Sequence, residues 1–591
     1  MPRIAPLLLL LIALLPGAAQ SPLADHPSPY LAMHAADPVQ WQLWGEGVFA
    51  QAKREQRLIF ISSGYFACHW CHVMQRESFR STSIARRLNR DFIPVKIDRE
   101  LWPELDRTLI DFVERTRGTA GWPLNVFLTP AGHPLVGTTY LPPQEFEAYL
   151  VRLQQRWQQE RERLTVLAAG AAQQPQIHTN RALALDGAEL ADALAKALQQ
   201  AWHEQADELA GGFGSEAKFP QVPLLMSLMR MARSAERDEF LLLTLEQMAA
   251  HGLRDHLGGG FFRYTIDPAW LEPHFEKMLY DNAQLASLYL QAARLFGKEG
   301  YRQVGLQTLD FLLREMRHPQ GGFVSALSAV DGRDIEGGYY LWQAEELVAL
   351  LGEKEASQAR RYWGMTGPAV WEQGYLPLPQ AGYDEVGAAT LQRWRERLLQ
   401  QRQERALPRD DKRLASWNAL VLSALSIAES DEERYAAAGR EVRDYLHQLW
   451  DGKRLWRLRD ERGRRRLPAG LQDYALAARA LLQWEQATGD EESRRLAATL
   501  IATAWQRFYN PAGWLPGGES SLIGRRSPVL AADALPSAAV VLLEANLMLG
   551  EQGPISRRAM KQALTAEPLT LLSAPLAYSG YLSLLQLLRD G

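Results

Sequence analysis

The stretch that most constrains this chain runs from Arg57 to Phe79. Leu58-Ile59-Phe60-Ile61 is a short apolar run that reads as a buried strand. Ser62-Ser63-Gly64 ends it, and Cys68-His69-Trp70-Cys71-His72 follows. A helical pattern then begins, with Val73, Met74 and Phe79 as its apolar positions. A Cys-x-x-Cys at the start of a helix, directly after a strand, is a redox dithiol arrangement. The helix N-terminus supplies free N–H groups and partial positive charge, both of which stabilise a thiolate. Cys68 is expected to be the exposed attacker and Cys71 the more buried resolver.

Three other readings compete for the same residues. Cys68-His69-Trp70-Cys71-His72 also fits the C-x-x-C-H signal for covalent haem attachment. That reading wants a second axial ligand, and none stands out, since Met74 and His69 are too close. A zinc site would need its ligand pairs separated by a longer loop. A purely structural disulfide would close so small a loop that it restricts the unfolded chain little. The dithiol reading therefore carries no metal and no cofactor.

The pair holds the only two cysteines in 591 residues, so there is no disulfide framework. A chain of this length has room for more than one domain. The net charge of -4 gives no reason to expect nucleic acid or an anionic membrane. Arg3, the apolar run Ile4–Leu15 and the small residues Pro16-Gly17-Ala18-Ala19 read as a secretory signal, with cleavage expected near Ala19–Gln20. No later stretch reaches about 18 uninterrupted apolar residues. The expectation is a soluble protein, secreted or periplasmic, with no stable membrane insertion once the signal is removed.

Downstream, Ser83–Asn89 reads as a helix, Phe92–Ile97 as a strand, Glu104–Thr116 as a helix, Leu124–Leu128 and Leu135–Leu141 as strands, and Phe146 to about Leu164 as a charged helix. With the first strand and helix, this order is that of a thioredoxin-like domain. Pro123 precedes the third strand, where such domains keep a cis-proline facing the dithiol. Gln173–Asp186 is polar and without periodicity, as a linker would be. Beyond it the chain is helical in pattern, with turns marked Gly211-Gly212-Phe213, Gly258-Gly259-Gly260-Phe261, Gly321-Gly322-Phe323 and Gly337-Gly338-Tyr339. About twelve helices over roughly 400 residues suit helical hairpins closed into a toroid. The expected organisation is a signal over 1–19, a thioredoxin-like domain over 20–170, a linker over 171–186 and an (α/α)6 six-hairpin barrel over 187–591. The fold class is thus multidomain, α/β plus all-α.

Long runs of residues resemble the spermatogenesis-associated thioredoxin-domain family. They include Ser28-Pro-Tyr-Leu31, Cys68-His-Trp-Cys-His-Val-Met74, Lys96-Ile-Asp-Arg-Glu100 and Gly121-Trp-Pro-Leu-Asn-Val-Phe127. In the helical region they are Lys218-Phe-Pro220, Asp255-His-Leu-Gly-Gly-Gly-Phe261, Pro273-His-Phe-Glu-Lys-Met-Leu-Tyr-Asp-Asn282, Ser416-Trp-Asn418 and Asp473-Tyr474. The resemblance implies a thioredoxin-like domain joined to a glycosidase-like six-hairpin barrel. The chain departs from the pattern at Ser328 and Val330, where acidic residues are expected, and at Gln40 and Ala538-Ala539.

The chemistry follows from these residue types. A Cys68 thiolate attacks a substrate disulfide and Cys71 resolves the mixed disulfide, with protein thiols or disulfides as partners. His69, Trp70, His72, Trp122 and Pro123 are expected to support that site. In the barrel, Asp255, His256, His274, Glu276, Lys277, Tyr280, Asp281, Asn282, Trp417, Asn418 and Asp473 are cavity candidates. His274–Asn282 is expected to be helical, which puts Glu276 and Tyr280 on one face. A glycosidase needs two carboxyl groups across a bond and an epimerase needs bases on both faces of a carbon. Two classes stay open: a thiol–disulfide oxidoreductase whose barrel binds a glycan or a protein, and a carbohydrate-active barrel with an accessory thioredoxin-like domain.

Overall fold

The structure is a computed structural model, and it describes residues 21–173, 185–380, 386–428, 432–517, 522–523 and 526–589. The expected signal and most of the expected linker lie outside the described residues. Four strands form the N-terminal sheet: β1 (Leu58–Gly64), β2 (Phe92–Asp98), β3 (Leu124–Leu128) and β4 (Pro134–Thr138), in the order β2-β1-β3-β4. β2 runs parallel to β1, with Ile59 opposite Ile93, while β3 runs antiparallel, with Phe60 opposite Phe127. β1, β2 and β3 are buried along their whole length, which is why they read as continuous apolar runs rather than alternating ones. One face packs Phe60 and Phe127 against Phe79 and Phe146; the other packs Ile59, Ile61 and Val126 against Leu109 and Val113. β4 stops at Thr138 rather than Leu141, because Thr138 pairs with Asn125 and the partner strand begins one residue earlier, at Leu124, after Pro123, which has no N–H to continue a ladder.

The helical half closes on itself. Helices Val222–Arg230, Leu279–Phe296, Ala415–Ala428, Leu471–Thr488, Ala538–Met548 and Ser579–Leu587 form an inner ring in which each packs on the next and the last returns to the first. Gly187–Gln205, Ala235–Ala250, Glu299–Phe311, Glu433–Leu449, Glu491–Phe508 and Arg557–Leu564 pack outside it. Ala415–Ala428 is buried on nearly every side, whereas Glu433–Leu449 is apolar on one face only, as ring position requires. Three further helices, Ala344–Leu351, Glu353–Tyr362 and Ala388–Gln403, form an insertion with its own core around Trp342, Trp363 and Trp394. The fold is therefore a thioredoxin-like α/β sheet followed by an (α/α)6 toroid. Among the described residues no helix is long and apolar enough to cross a membrane.

The segment expected to be one helix over His274–Asn282 is not. Pro273–His274 pairs with Tyr264–Thr265, Lys277–Met278 pairs with Ala326–Leu327, and the helix begins only at Leu279. Glu276 therefore lies outside the helix and does not share a helical face with Tyr280.

Candidate functional site: a dithiol against the barrel

Cys68 occupies the N-cap of helix His69–Met74, and its Sγ accepts the Cys71 N–H at 3.2 Å. The two Cα atoms are 5.3 Å apart and the sulfurs are bonded. A reduced Cys68 keeps this donor and the free helix end, the two features that favour a thiolate. Gly64 is fixed by the same packing: a side chain there would meet Cys71 Sγ at 2.7 Å and the Tyr30 hydroxyl. This gives the Ser28-Pro-Tyr-Leu31 motif its place, because Tyr30 backs the resolving sulfur. His72, the ligand a haem reading requires, instead turns Nε2 to the Phe66 carbonyl at 2.7 Å. Burial lowers its basicity.

The exposure of the two sulfurs departs from expectation. Cys71 is 1% exposed, but Cys68 is only 4% exposed. The barrel makes contact at the preceding residue: the Ala329 N–H donates to the Ala67 carbonyl at 3.3 Å. Beside it, His69 Nε2 lies 3.6 Å from Glu336, whose other oxygen is 3.4 Å from His274 Nε2. His274 Nδ1 is 3.5 Å from Glu276, which accepts the Tyr65 hydroxyl at 2.8 Å and pairs with Arg263 at 3.0 Å. Polar contacts thus run from the residue after Cys68, through the barrel, back to Tyr65 on the dithiol loop. Burial lowers the His69 imidazole, and the neighbouring Glu336 opposes it. Burial alone raises the Glu276 carboxyl, but Arg263 and His274 outweigh it.

The Trp122–Pro123 bond is cis. Trp122 donates Nε1 to Asp106 at 3.1 Å, and the Arg99 guanidinium lies 3.6 Å from the Trp122 ring centre. Asp106 also accepts Ser63 Oγ at 2.6 Å, and burial raises its carboxyl. Behind β1, Lys96 sits among Tyr30, Trp41 and Phe79 and donates to Ser62; burial pushes it down to about 7.

Most barrel candidates hold the scaffold. Lys277 Nζ donates to Asp255 at 2.7 Å and to the Gly259 carbonyl at 2.8 Å, and Arg402 reaches the same carboxylate at 2.9 Å. Burial alone raises the Asp255 carboxyl, but Arg402 and Lys277 hold it well below the usual carboxylate range. Asn282 brackets Phe261, accepting its N–H at 2.7 Å and donating to its carbonyl at 3.0 Å. Asn418 brackets Phe323 at the same two distances. Asp473 accepts Arg457 at 2.9 Å and the N–H groups of Ser416 and Gly470. His256 is tied to the His251 carbonyl at 3.0 Å. The Tyr280 and Trp417 rings meet edge-on, 4.7 Å between centres. Asp281 is the exception: burial, opposed by Arg263, raises it to about 8, and its Oδ2 has no hydrogen-bond partner.

Sequence reasoning missed the residues that join the halves. Lys412 is fully buried and contacts Asp98 at 2.8 Å, Glu100 at 3.1 Å and Asp410. Arg457 reaches from Asp473 to Glu104 at 2.8 Å and to the Leu101 carbonyl at 2.7 Å. Tyr65, Arg263 and Glu336 were also missed. Lys96-Ile-Asp-Arg-Glu100 stood out as a run, but nothing local says that its acids seek a lysine in the other domain.

The family model described as "Protein of unknown function, DUF255" matches residues 20–174. Among solved structures, the chain is similar to a D-mannose isomerase, with 10% identity, 64% of this chain and 83% of that one covered, and a TM-score of 0.41. A thioredoxin from Thermus thermophilus matches 20% of this chain and 88% of its own, with 20% identity and a TM-score of 0.17. A Caenorhabditis elegans protein described as uncharacterized is 30% identical over 83% of this chain and 75% of its own. Spermatogenesis-associated protein 20 of Homo sapiens is 33% identical over 565 residues, 84% of this chain and 71% of the human one. With identity of that level across both halves of the molecule, the chain belongs to the spermatogenesis-associated protein 20 family.

Proposed function

We propose that this protein is a thiol–disulfide oxidoreductase whose barrel governs access to the dithiol. The observation that carries this reading is the Cys71 N–H aimed at Cys68 Sγ on the first turn of a helix. In the reduced protein the Cys68 thiolate attacks a substrate disulfide, forming a mixed disulfide and releasing one substrate thiolate, which takes up a proton. Cys71 then loses its proton and attacks the Cys68 sulfur. That step forms the Cys68–Cys71 bond and releases the second substrate thiol. A partner sulfur reaches Cys68 when the Ala67–Ala329 contact opens. The carbohydrate reading has less support, because Asp255, Lys277, Asn282, Asn418 and Asp473 are engaged in holding loops and domains together. Residues 1–19 are read as an export signal, which would bring the dithiol into an oxidising compartment; N-terminal sequencing of the mature protein near Gln20 tests that.

The mechanism is tested by trapping. Cys71→Ser should accumulate mixed disulfides that vanish on adding reductant, whereas Cys68→Ser should accumulate none. Equal trapping by both, or by neither, rejects the oxidoreductase reading.

A further inference from the structure

The Tyr30 hydroxyl is fully buried, and among the described residues it has no hydrogen-bond partner. Burying a hydroxyl in that state is costly, and a phenylalanine would fill the same space without the cost. The surroundings nevertheless hold it in one place. Ser28 caps helix Pro29–Met33, accepting the Leu31 N–H at 3.1 Å, and donates to Asp98 at 2.5 Å. The Tyr30 ring meets His34 edge-on, 5.1 Å between centres, and Lys96 Nζ lies 5.0 Å from the ring centre. Lys96 itself is turned to Ser62 Oγ at 3.0 Å. The hydroxyl is thereby set beside the sulfur of Cys71. The point at which a Cβ on Gly64 would sit is 2.7 Å from Cys71 Sγ and closer still to the Tyr30 oxygen, so oxygen and sulfur lie within twice that distance of each other. Burial, reinforced by the charges of Asp98, Asp37 and Asp106, raises the Tyr30 hydroxyl well above its ordinary value, so it keeps its proton.

We propose that Tyr30 is the hydrogen-bond donor to the Cys71 sulfur when the Cys68–Cys71 bond is open, and hence a further catalytic residue for the resolving step. The proposal rests on the oxidoreductase reading and supplies the donor for its second half. The attacking sulfur has its donor in the Cys71 N–H at 3.2 Å. The resolving sulfur is 1% exposed, and a thiolate buried in apolar surroundings is disfavoured unless a donor meets it. In the closed disulfide the sulfur is a weak acceptor, which leaves the Tyr30 hydroxyl without a partner. Opening the bond frees Cys71 to turn about χ1 and lets its sulfur carry the charge that makes a strong hydrogen bond. Cys71 then loses its proton to solvent and its thiolate attacks the Cys68 sulfur of the mixed disulfide. The Cys68–Cys71 bond forms, and the substrate sulfur leaves with the electron pair and takes up a proton. The Tyr30 proton stays on Tyr30 throughout. A hydrogen bond made only in the open state stabilises the reduced protein relative to the oxidised one.

The experiment uses Tyr30→Phe, which removes the oxygen and keeps the ring. Parent and variant are equilibrated with glutathione buffers at neutral pH, and the collapse of the Cys68–glutathione mixed disulfide is timed. The equilibrium constant of the variant should move about three- to tenfold toward the disulfide, tenfold being about 30 mV more negative for a two-electron couple. Collapse should slow about threefold, because a tenfold loss of thiolate is partly offset by the greater nucleophilicity of the more basic sulfur. Thermal unfolding of the oxidised variant should match the parent, since no hydrogen bond is lost there, whereas the reduced variant should unfold at a lower temperature. A ring that only filled space would move neither the potential nor the collapse rate. In the Cys71→Ser protein, adding Tyr30→Phe should leave the rate of glutathione attachment at Cys68 unchanged, because that step does not use the Cys71 sulfur. If Tyr30→Phe keeps the parental potential and collapse rate, the proposal is overturned while the oxidoreductase reading stands. If it slows attachment at Cys68 as much as collapse, the hydroxyl does not act on Cys71 and the proposal is again overturned. If glutathione disulfide reacts with neither parent nor variant, the oxidoreductase reading falls and the proposal falls with it.

Discussion

Around Cys68 and Cys71 the polar groups form a single arrangement, whereas in the barrel they come in copies. Asp207 takes Lys218 at 2.6 Å, and Lys218 also caps the Gly211 carbonyl. Asp255 and Lys277 do the same for Gly259. At the third Gly-Gly-Phe loop Arg413 reaches the Gly321 carbonyl at 2.8 Å. Asn282 and Asn418 then clamp the Phe of the second and third loops with nearly identical geometry. A catalytic centre is needed once; a device for pinning a loop to a ring helix is needed at every hairpin. The repetition argues that charge and burial in the barrel serve its closure. The unrepeated contacts, those of Tyr65, His69, His274, Glu276 and Glu336, gather at the dithiol instead.

The comparison is broken or sharpened by substitution. The largest effect is expected at Lys412, where one cation serves three buried carboxylates from both halves. Lys412→Met leaves those acids uncompensated, at a cost of about 3–5 kcal/mol. Urea unfolding should move to lower denaturant and split into two transitions as the domains separate. A shift of less than about 1 kcal/mol would mean that the halves are held together elsewhere. Asp255→Asn orphans Lys277 and Arg402 and should cost about 3 kcal/mol. The folded fraction should still trap substrate at the parental rate. A stable Asp255→Asn protein that has lost activity would make the clamp a catalytic site and end the contrast drawn above. Asn282→Ala strips the Phe261 N–H and carbonyl of their partner and should cost about 1–3 kcal/mol, again with trapping intact.

Legibility in the sequence follows the same division. β1, the dithiol helix and the ring helices were readable because each is specified locally, by a continuous apolar run, a cap or an apolar periodicity. The short pairings over Tyr264–Met278 were not, since a strand of two residues has no period to detect. Nor were the contacts on either side of Cys68, because the partners of Ala67 and His69, Ala329 and Glu336, belong to the other domain. The sequence marks Asp255 and Asn282 as cavity candidates. What could not be read is that their partners are the neighbouring backbone and buried cations rather than a ligand.

The most discriminating effect is a pH dependence located at the domain boundary. Glu100 is fully buried; burial, reinforced by the charges of Asp410 and Asp98 and opposed by Lys412, pushes it up to about 8. A carboxyl raised in the folded state contributes stability that is fully present below its unfolded value, about 4.3. That contribution is lost as pH rises through the folded value near 8. Asp281, also raised to about 8, acts in the same direction from the barrel side. The urea midpoint should therefore fall between pH 5 and pH 9. Glu100→Gln has the shape of the neutral acid and no proton to lose. Near pH 5 the variant and the parent should differ little, while at pH 9 the variant should be the more stable. Asp281→Asn added to it should flatten the profile further. Asp255, held ionised by Lys277 and Arg402, should add no slope of its own over this range. A Glu100→Gln protein whose midpoint falls with pH as steeply as the parent's would show that the boundary does not titrate. The pH sensitivity would then have to be sought within one domain rather than between the two.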